Sequence, residues 1–190
     1  MGFTNERINF GVLLITFFLI IVTGSVGYLV MLWKGLSSFL FAWILNFMLM
    51  ITVLFCTQLT KPRLASTYYN SKKWEMEGKI YEWIGVNLFR KLLVWMGWEK
   101  LNKKTNPVKK KPSALIHLEY STRQSEFGHL VIFFIVSSFT IYVAIRFGIT
   151  KSLWLLSLNV ILNIYPIILQ RYNRPRIHKL IMQYPQKHVK

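Results

Sequence analysis

Four long runs of apolar residues constrain this chain more than any other feature. They extend from Ile8 to Trp33, Leu36 to Leu59, Leu130 to Phe147 and Leu153 to Leu169. About 20 apolar residues in a helix suffice to cross the hydrocarbon core of a bilayer. The first run exceeds the roughly 7–15 apolar residues of a signal peptide, and a second run follows at once, so an uncleaved span is expected. Lys34 and Gly35 leave room only for a tight connection, so the first two spans read as a hairpin. The fourth run is the shortest. Asn159 and Asn163 lie inside it and Pro166 stands near its end, so a shallow or re-entrant helix is a second reading there.

Composition agrees with this segregation. The chain is 53% hydrophobic with mean hydropathy +0.36, yet carries 24 Lys+Arg against 7 acidic residues, a formal net charge of +17. Such hydrophobicity excludes a disordered chain. The apolar residues are clumped, which disfavours a soluble nucleic-acid binder, and no nucleic acid is expected as a partner. The lone Cys56 excludes an internal disulfide and a Cys-based zinc site. Cytoplasmic loops collect Lys and Arg. Only Lys34, Arg146 and Lys151 fall in the two short turns, and the other 21 basic residues share one side if both termini and the central segment are cytoplasmic. The expected fold is an all-α integral membrane protein with four transmembrane helices as two hairpins. A cytoplasmic segment of short amphipathic interfacial helices separates them. The division is 1–60 (spans 8–33 and 36–59), 61–128, and 129–190 (spans 130–147 and 153–169, with a basic tail).

The central segment concentrates Trp74, Tyr81, Trp83, Phe89, Trp95 and Trp98. Trp74–Ile84 reads as a short helix with Lys79 and Glu82 on its polar side, and Gly85 punctuates it. Val86–Met96 reads as a second helix, with Leu88, Phe89, Leu92, Leu93 and Met96 on one face. Basic, Trp-rich amphipathic helices favour the headgroup layer. An entry route for a lipid and a plain anchor both fit. Lys103, Lys104, Lys109, Lys110 and Lys111 make residues 100–112 a solvated basic stretch that suits anionic lipid or an acidic acyl carrier protein.

Two polar clusters flank the last two spans. Glu119, Arg123, Glu126 and His129 are spaced four, three and three apart, along one face of a helix that runs into the third span. One reading makes His129 a general base oriented by Glu126, with Arg123 beside an anionic group. The other is a salt-bridged helix end. A single Glu-x-x-His pair falls short of a di-iron site, which needs two such pairs and two further Glu, so no metal is expected. In the second cluster, Pro166 frees the carbonyl of Leu162, next to Asn163, and the two can share polar partners. Gln170, Arg171, Asn173, Arg174 and Arg176 then offer amides and guanidinium forks suited to sugar hydroxyls and phosphate. Pairing of the last two spans as a hairpin is expected to bring His129 near Gln170–Arg174.

Together, Thr122-Arg123-x-Ser125-Glu126-x-x-His129, Asn163-x-x-Pro166 and the run Gln170-Arg171-Tyr172-Asn173-Arg174-Pro175-Arg176 resemble the glycosyl-4,4'-diaponeurosporenoate acyltransferases of bacterial carotenoid biosynthesis. The resemblance covers roughly residues 80–180. It implies a multi-pass enzyme of the bacterial cell (inner) membrane that esterifies a glucose hydroxyl of a glycosylated carotenoid with a fatty acyl group. The matched positions are Glu126, His129, Asn163, Gln170, Arg171, Asn173, Arg174 and Arg176. In this light His129 takes the proton of the sugar hydroxyl and Glu126 orients it. Gln170 and Asn173 meet hydroxyls or the oxyanion, and Arg171, Arg174 and Arg176 hold phosphate of the donor. The donor is acyl-CoA or acyl carrier protein, and no bound cofactor is implied. Membrane lipid and the glycolipid are the other expected partners, and the oligomeric state is left open. The chain departs from the family after Gly85-Val86, where Asn87-Leu88-Phe89-Arg90-Lys91 replaces a Trp-Lys pair and Pro. Another lipid-modifying membrane transferase and a non-catalytic lipid-binding membrane subunit are the alternatives.

Overall fold

The computed structural model describes residues 10–97 and 112–183. Among them no strand occurs, and the helices are α1 (Phe10–Lys34), α2 (Phe39–Thr60), α3 (Ile80–Trp83), α4 (Val86–Trp95), α5 (Pro112–Phe147), α6 (Ile149–Asn159) and α7 (Tyr165–Met182). A π-helical turn, Val160–Ile164, joins α6 to α7, so that Ile149–Met182 is one continuous helical stretch. With α1, α2 and α5 it makes four helices long and apolar enough to cross a membrane. Trp98, the basic residues 100–111, Arg7 and His188 lie outside the described residues.

The chain forms two compact units. The first joins the chain up to Arg63 with Gly128–Ile164, and the second joins Leu64–Phe127 with the chain from Tyr165. In the first unit α2 contributes Phe41, Ala42, Leu45 and Leu49, which recur along one helical stripe. They pack with Ile132, Val136 and Val143 of α5 and Leu155 and Leu158 of α6. Gly35, at φ +78, turns the chain after α1. Ser38 then caps α2, its Oγ accepting from the Phe41 N–H at 3.1 Å, so α2 begins at Phe39 and not at Leu36. Val30 and Met31 of α1 reach the core, but α1 buries no residue fully, and large side chains such as Phe17 and Phe18 point outward.

In the second unit the expected helix Trp74–Ile84 is broken. A 3-10 turn spans Lys73–Gly78, and Met76, Glu77 and Gly78 adopt left-handed backbone angles. The break brings Gly78 against α7, where an added Cβ would stand 3.2 Å from the Tyr172 carbonyl oxygen. Gly85, at φ +87, separates α3 from α4. The expected apolar face of α4 is divided: Phe89 is buried and stacks on Tyr165 at 5.2 Å, whereas Leu88 and Trp95 point outward. Trp83 is 92% exposed. Tyr81, Val86 and Tyr172 form the small apolar core. The stretch after Leu169, expected as a tail, continues as helix to Met182 even though Pro175 lies inside it.

Candidate active site

A chain of buried amides crosses the core of the first unit. Asn46 of α2, Asn159 at the end of α6 and Asn163 in the π turn are all buried. Asn46 Nδ2 donates to the Ala42 carbonyl at 2.8 Å, and Asn159 Nδ2 donates to the Phe133 carbonyl at 3.2 Å and to Ser137 Oγ at 3.0 Å. Asn163 Nδ2 donates to Asn46 Oδ1 at 2.8 Å and to Asn159 Oδ1 at 2.9 Å. An unpaired amide inside an apolar span is costly, so the three Asn satisfy one another. His129 of α5 is half-buried, with Nδ1 3.4 Å from Asn163 Oδ1. Its ring also meets the backbone carbonyl of Leu162. That is the carbonyl which Pro166 frees by lacking an N–H, and π turns recur at functional sites.

The second unit holds a buried ionic cluster. Glu126 is 0% exposed and Glu75 is 1% exposed. Arg171 of α7 bridges them, with NH1 2.8 Å from Glu126 Oε1 and Nε 2.8 Å from Glu75 Oε1. Arg174 pairs with the other Glu126 oxygen, Oε2. It also donates to the Tyr69 carbonyl at 2.9 Å and to Thr122 Oγ1 at 3.2 Å. The rings of Tyr68 and Tyr69 lie 5.1 Å from the Arg171 guanidinium and 5.5 Å from that of Arg174. Tyr81 OH accepts from Arg171 Nε at 3.2 Å. Burial works to raise the Glu75 carboxyl, but hydrogen bonds from Arg171, the Lys72 N–H and Tyr81 outweigh it, so Glu75 titrates below its ordinary value. Burial, opposed in part by Arg171 and assisted by the Glu75 charge, pushes the Tyr81 phenol up to about 12.

These partners change the expected pairing of Glu126 with His129. Both Glu126 oxygens receive arginine N–H groups, while His129 Nδ1 faces Asn163. Arg171 and Arg174 are likewise engaged with carboxylates, where phosphate was the expected partner. Arg123 donates to Glu119 at 2.8 Å and to the Leu64 carbonyl at 3.0 Å. Gln170 Nε2 donates to Ser125 Oγ at 3.1 Å. Arg176 is partly exposed, stacks on Tyr172 at 3.6 Å and pairs with Glu82 at 3.1 Å. Asn173 is half-buried, with no hydrogen-bond partner for its amide among the described residues. Sequence reasoning missed Glu75, Tyr81 and the role of Asn46. For Asn46 a signal existed, since a polar residue inside an apolar span needs a partner. Among the described residues no group of three or more His, Cys, Asp or Glu is placed to hold a metal.

The family model described as glycosyl-4,4'-diaponeurosporenoate acyltransferase matches residues 65–183, more than half of the chain. No curated protein and no solved structure matches significantly.

Proposed function

Because this chain belongs to the glycosyl-4,4'-diaponeurosporenoate acyltransferase family, we propose that it transfers a fatty acyl group to a sugar hydroxyl of a glycosylated carotenoid or similar glycolipid. The observation that carries the mechanism is His129. It is half-buried in a helix that is long and apolar enough to span a membrane, and its ring faces Asn163 and the Leu162 carbonyl. A neutral imidazole in such a place has one nitrogen fixed and the other available as a base.

In this reading the hydroxyl oxygen attacks the thioester carbonyl of the donor as His129 takes its proton. The tetrahedral adduct collapses, the C–S bond breaks, and the thiolate leaves and is protonated. The products are an ester and a free thiol. Asn173 and Gln170, in the second unit, suit sugar hydroxyls of the acceptor. Arg176 is the arginine suited to an anionic donor, since its pair with Glu82 is open to solvent, whereas Arg171 and Arg174 are buried against their carboxylates. Glu126 then acts by fixing Arg171 and Arg174 and not by orienting His129. The donor is acyl-CoA or acyl carrier protein. The site lies at the cytoplasmic face of the bacterial inner membrane, with both termini cytoplasmic, and the exposed Trp83, Leu88 and Trp95 rest in the headgroup layer.

The test is acyl transfer by the reconstituted protein. A general base contributes about 10²–10⁴-fold, so His129→Ala should lose turnover on that scale while keeping its helical signal. Near-normal turnover would remove His129 as the base. Lipid and pigment profiling of a deletion strain should show the acylated glycolipid lost and its deacyl form accumulating.

A further inference from the structure

We propose that Asn46, which lies outside the stretch matched by the family model, is a positioning residue that fixes the tautomer of His129 through Asn163. The argument begins at two backbone carbonyls, which can only accept hydrogen bonds. The Ala42 carbonyl takes the Nδ2 hydrogen of Asn46 at 2.8 Å, so Asn46 turns its oxygen toward Asn163. The Phe133 carbonyl takes Nδ2 of Asn159 at 3.2 Å, so Asn159 also turns its oxygen toward Asn163. Asn163 therefore meets an acceptor on each of these sides, and its NH2 group donates one hydrogen to each. Its own oxygen is left for His129, with Nδ1 at 3.4 Å. An oxygen facing Nδ1 requires a hydrogen there. In the neutral ring this places the lone pair on Nε2, the form a general base needs.

The amide orientations follow from the carbonyls at the two ends and not from the choice of oxygen and nitrogen in any one Asn. All of these groups except the ring of His129 and the Ser137 hydroxyl are buried or backbone, so water does not compete for them. Replacing Asn46 leaves Asn163 with one acceptor in place of two. Its amide can then rotate and present N–H to the ring, which leaves the Leu162 carbonyl as the ring's fixed acceptor and admits both tautomers. The catalytic consequence rests on the proposal that His129 is the base. The tautomer does not.

The experiment uses the full chain in nanodiscs with 15N-labelled histidine. Long-range 1H–15N correlations are recorded where the ring is neutral, and His129 is assigned by its loss in His129→Gln. The wild type should show one tautomer, with the hydrogen on Nδ1. Asn46→Leu, which keeps the volume, should show a mixture, and Asn159→Leu should do the same. In acyl transfer both variants should lower kcat by about tenfold or more with little change in KM. A hydrogen on Nε2 in the wild type overturns the inference, as does an unchanged tautomer in both variants. If Asn46→Leu fails to fold, the wild-type tautomer and Asn159→Leu still decide. Full turnover in His129→Ala would remove the base assignment alone and leave the tautomer result standing.

Discussion

Removing the charge of Glu126 should destabilise the second unit more than removing that of Glu75. The cluster holds two carboxylates, Glu75 and Glu126, and two guanidinium groups, Arg171 and Arg174. The consequences of a deletion are unequal. Arg171 has both carboxylates as partners, so the loss of one leaves the other. Arg174 is 5% exposed and among the described residues has only Glu126 as an acidic partner, with the Tyr69 carbonyl and Thr122 hydroxyl as its neutral ones. Glu126→Gln therefore strands a buried cation. Breaking a buried pair from one side costs about 3–5 kcal/mol. Glu75→Gln strands no cation and should cost less. Glu126→Gln combined with Arg174→Met removes both members and should recover about 2–3 kcal/mol relative to the sum of the single changes. The assay is unfolding in mixed micelles with increasing SDS, followed by circular dichroism and tryptophan fluorescence. If Glu126→Gln unfolds at the wild-type SDS fraction, or the double variant equals the sum of the singles, the argument from stranded charge fails.

Glu75 makes a distinct prediction about acid. Its folded pKa lies below the ordinary 4.5, so its contribution is full above that value and is lost as pH falls through the lowered one. A pH series of unfolding midpoints should show this loss, and Glu75→Gln should flatten it. Gly78→Ala should destabilise by about 1–3 kcal/mol, because a left-handed backbone at φ +91 is combined with a Cβ 3.2 Å from the Tyr172 carbonyl oxygen. Its melting temperature should fall, and an unchanged value would mean that the 73–78 turn does not press on α7. Tyr81 should remain protonated in a phenolate absorbance titration until about pH 12, well after exposed tyrosines, and a single transition near the ordinary value would contradict its burial.

Much of the local structure was legible because its causes are local. Apolar runs announced the four helices long and apolar enough to cross a membrane, and a glycine able to take positive φ marked the start of α4 at Val86. Pro166 pointed to a free Leu162 carbonyl beside Asn163, and the ring of His129 meets both. What escaped was nonlocal. Glu75 meets Arg171 across 96 positions, and Asn46 meets Asn163 across 117. No periodicity within either segment encodes such a pairing. The i, i+3 spacing of Glu126 and His129 was misleading for the same reason. It measures proximity along one helix, whereas the partners of each side chain come from other segments, Arg171 and Arg174 for Glu126 and Asn163 for His129.

The order in which the ionic cluster is synthesised has a consequence for biogenesis. Its two acids are made first and its two arginines last, with Arg174 arriving 48 positions after Glu126. Until then the nascent chain carries carboxylates meant for a dry interior with no countercharge to meet them. They must stay hydrated or protonated, and the segment around Glu75 cannot close on itself. The second unit is thus completed only when its final helix leaves the ribosome. A chain cut short before Arg171 would present two uncompensated acids, a mark by which quality-control proteases can tell it from the finished protein.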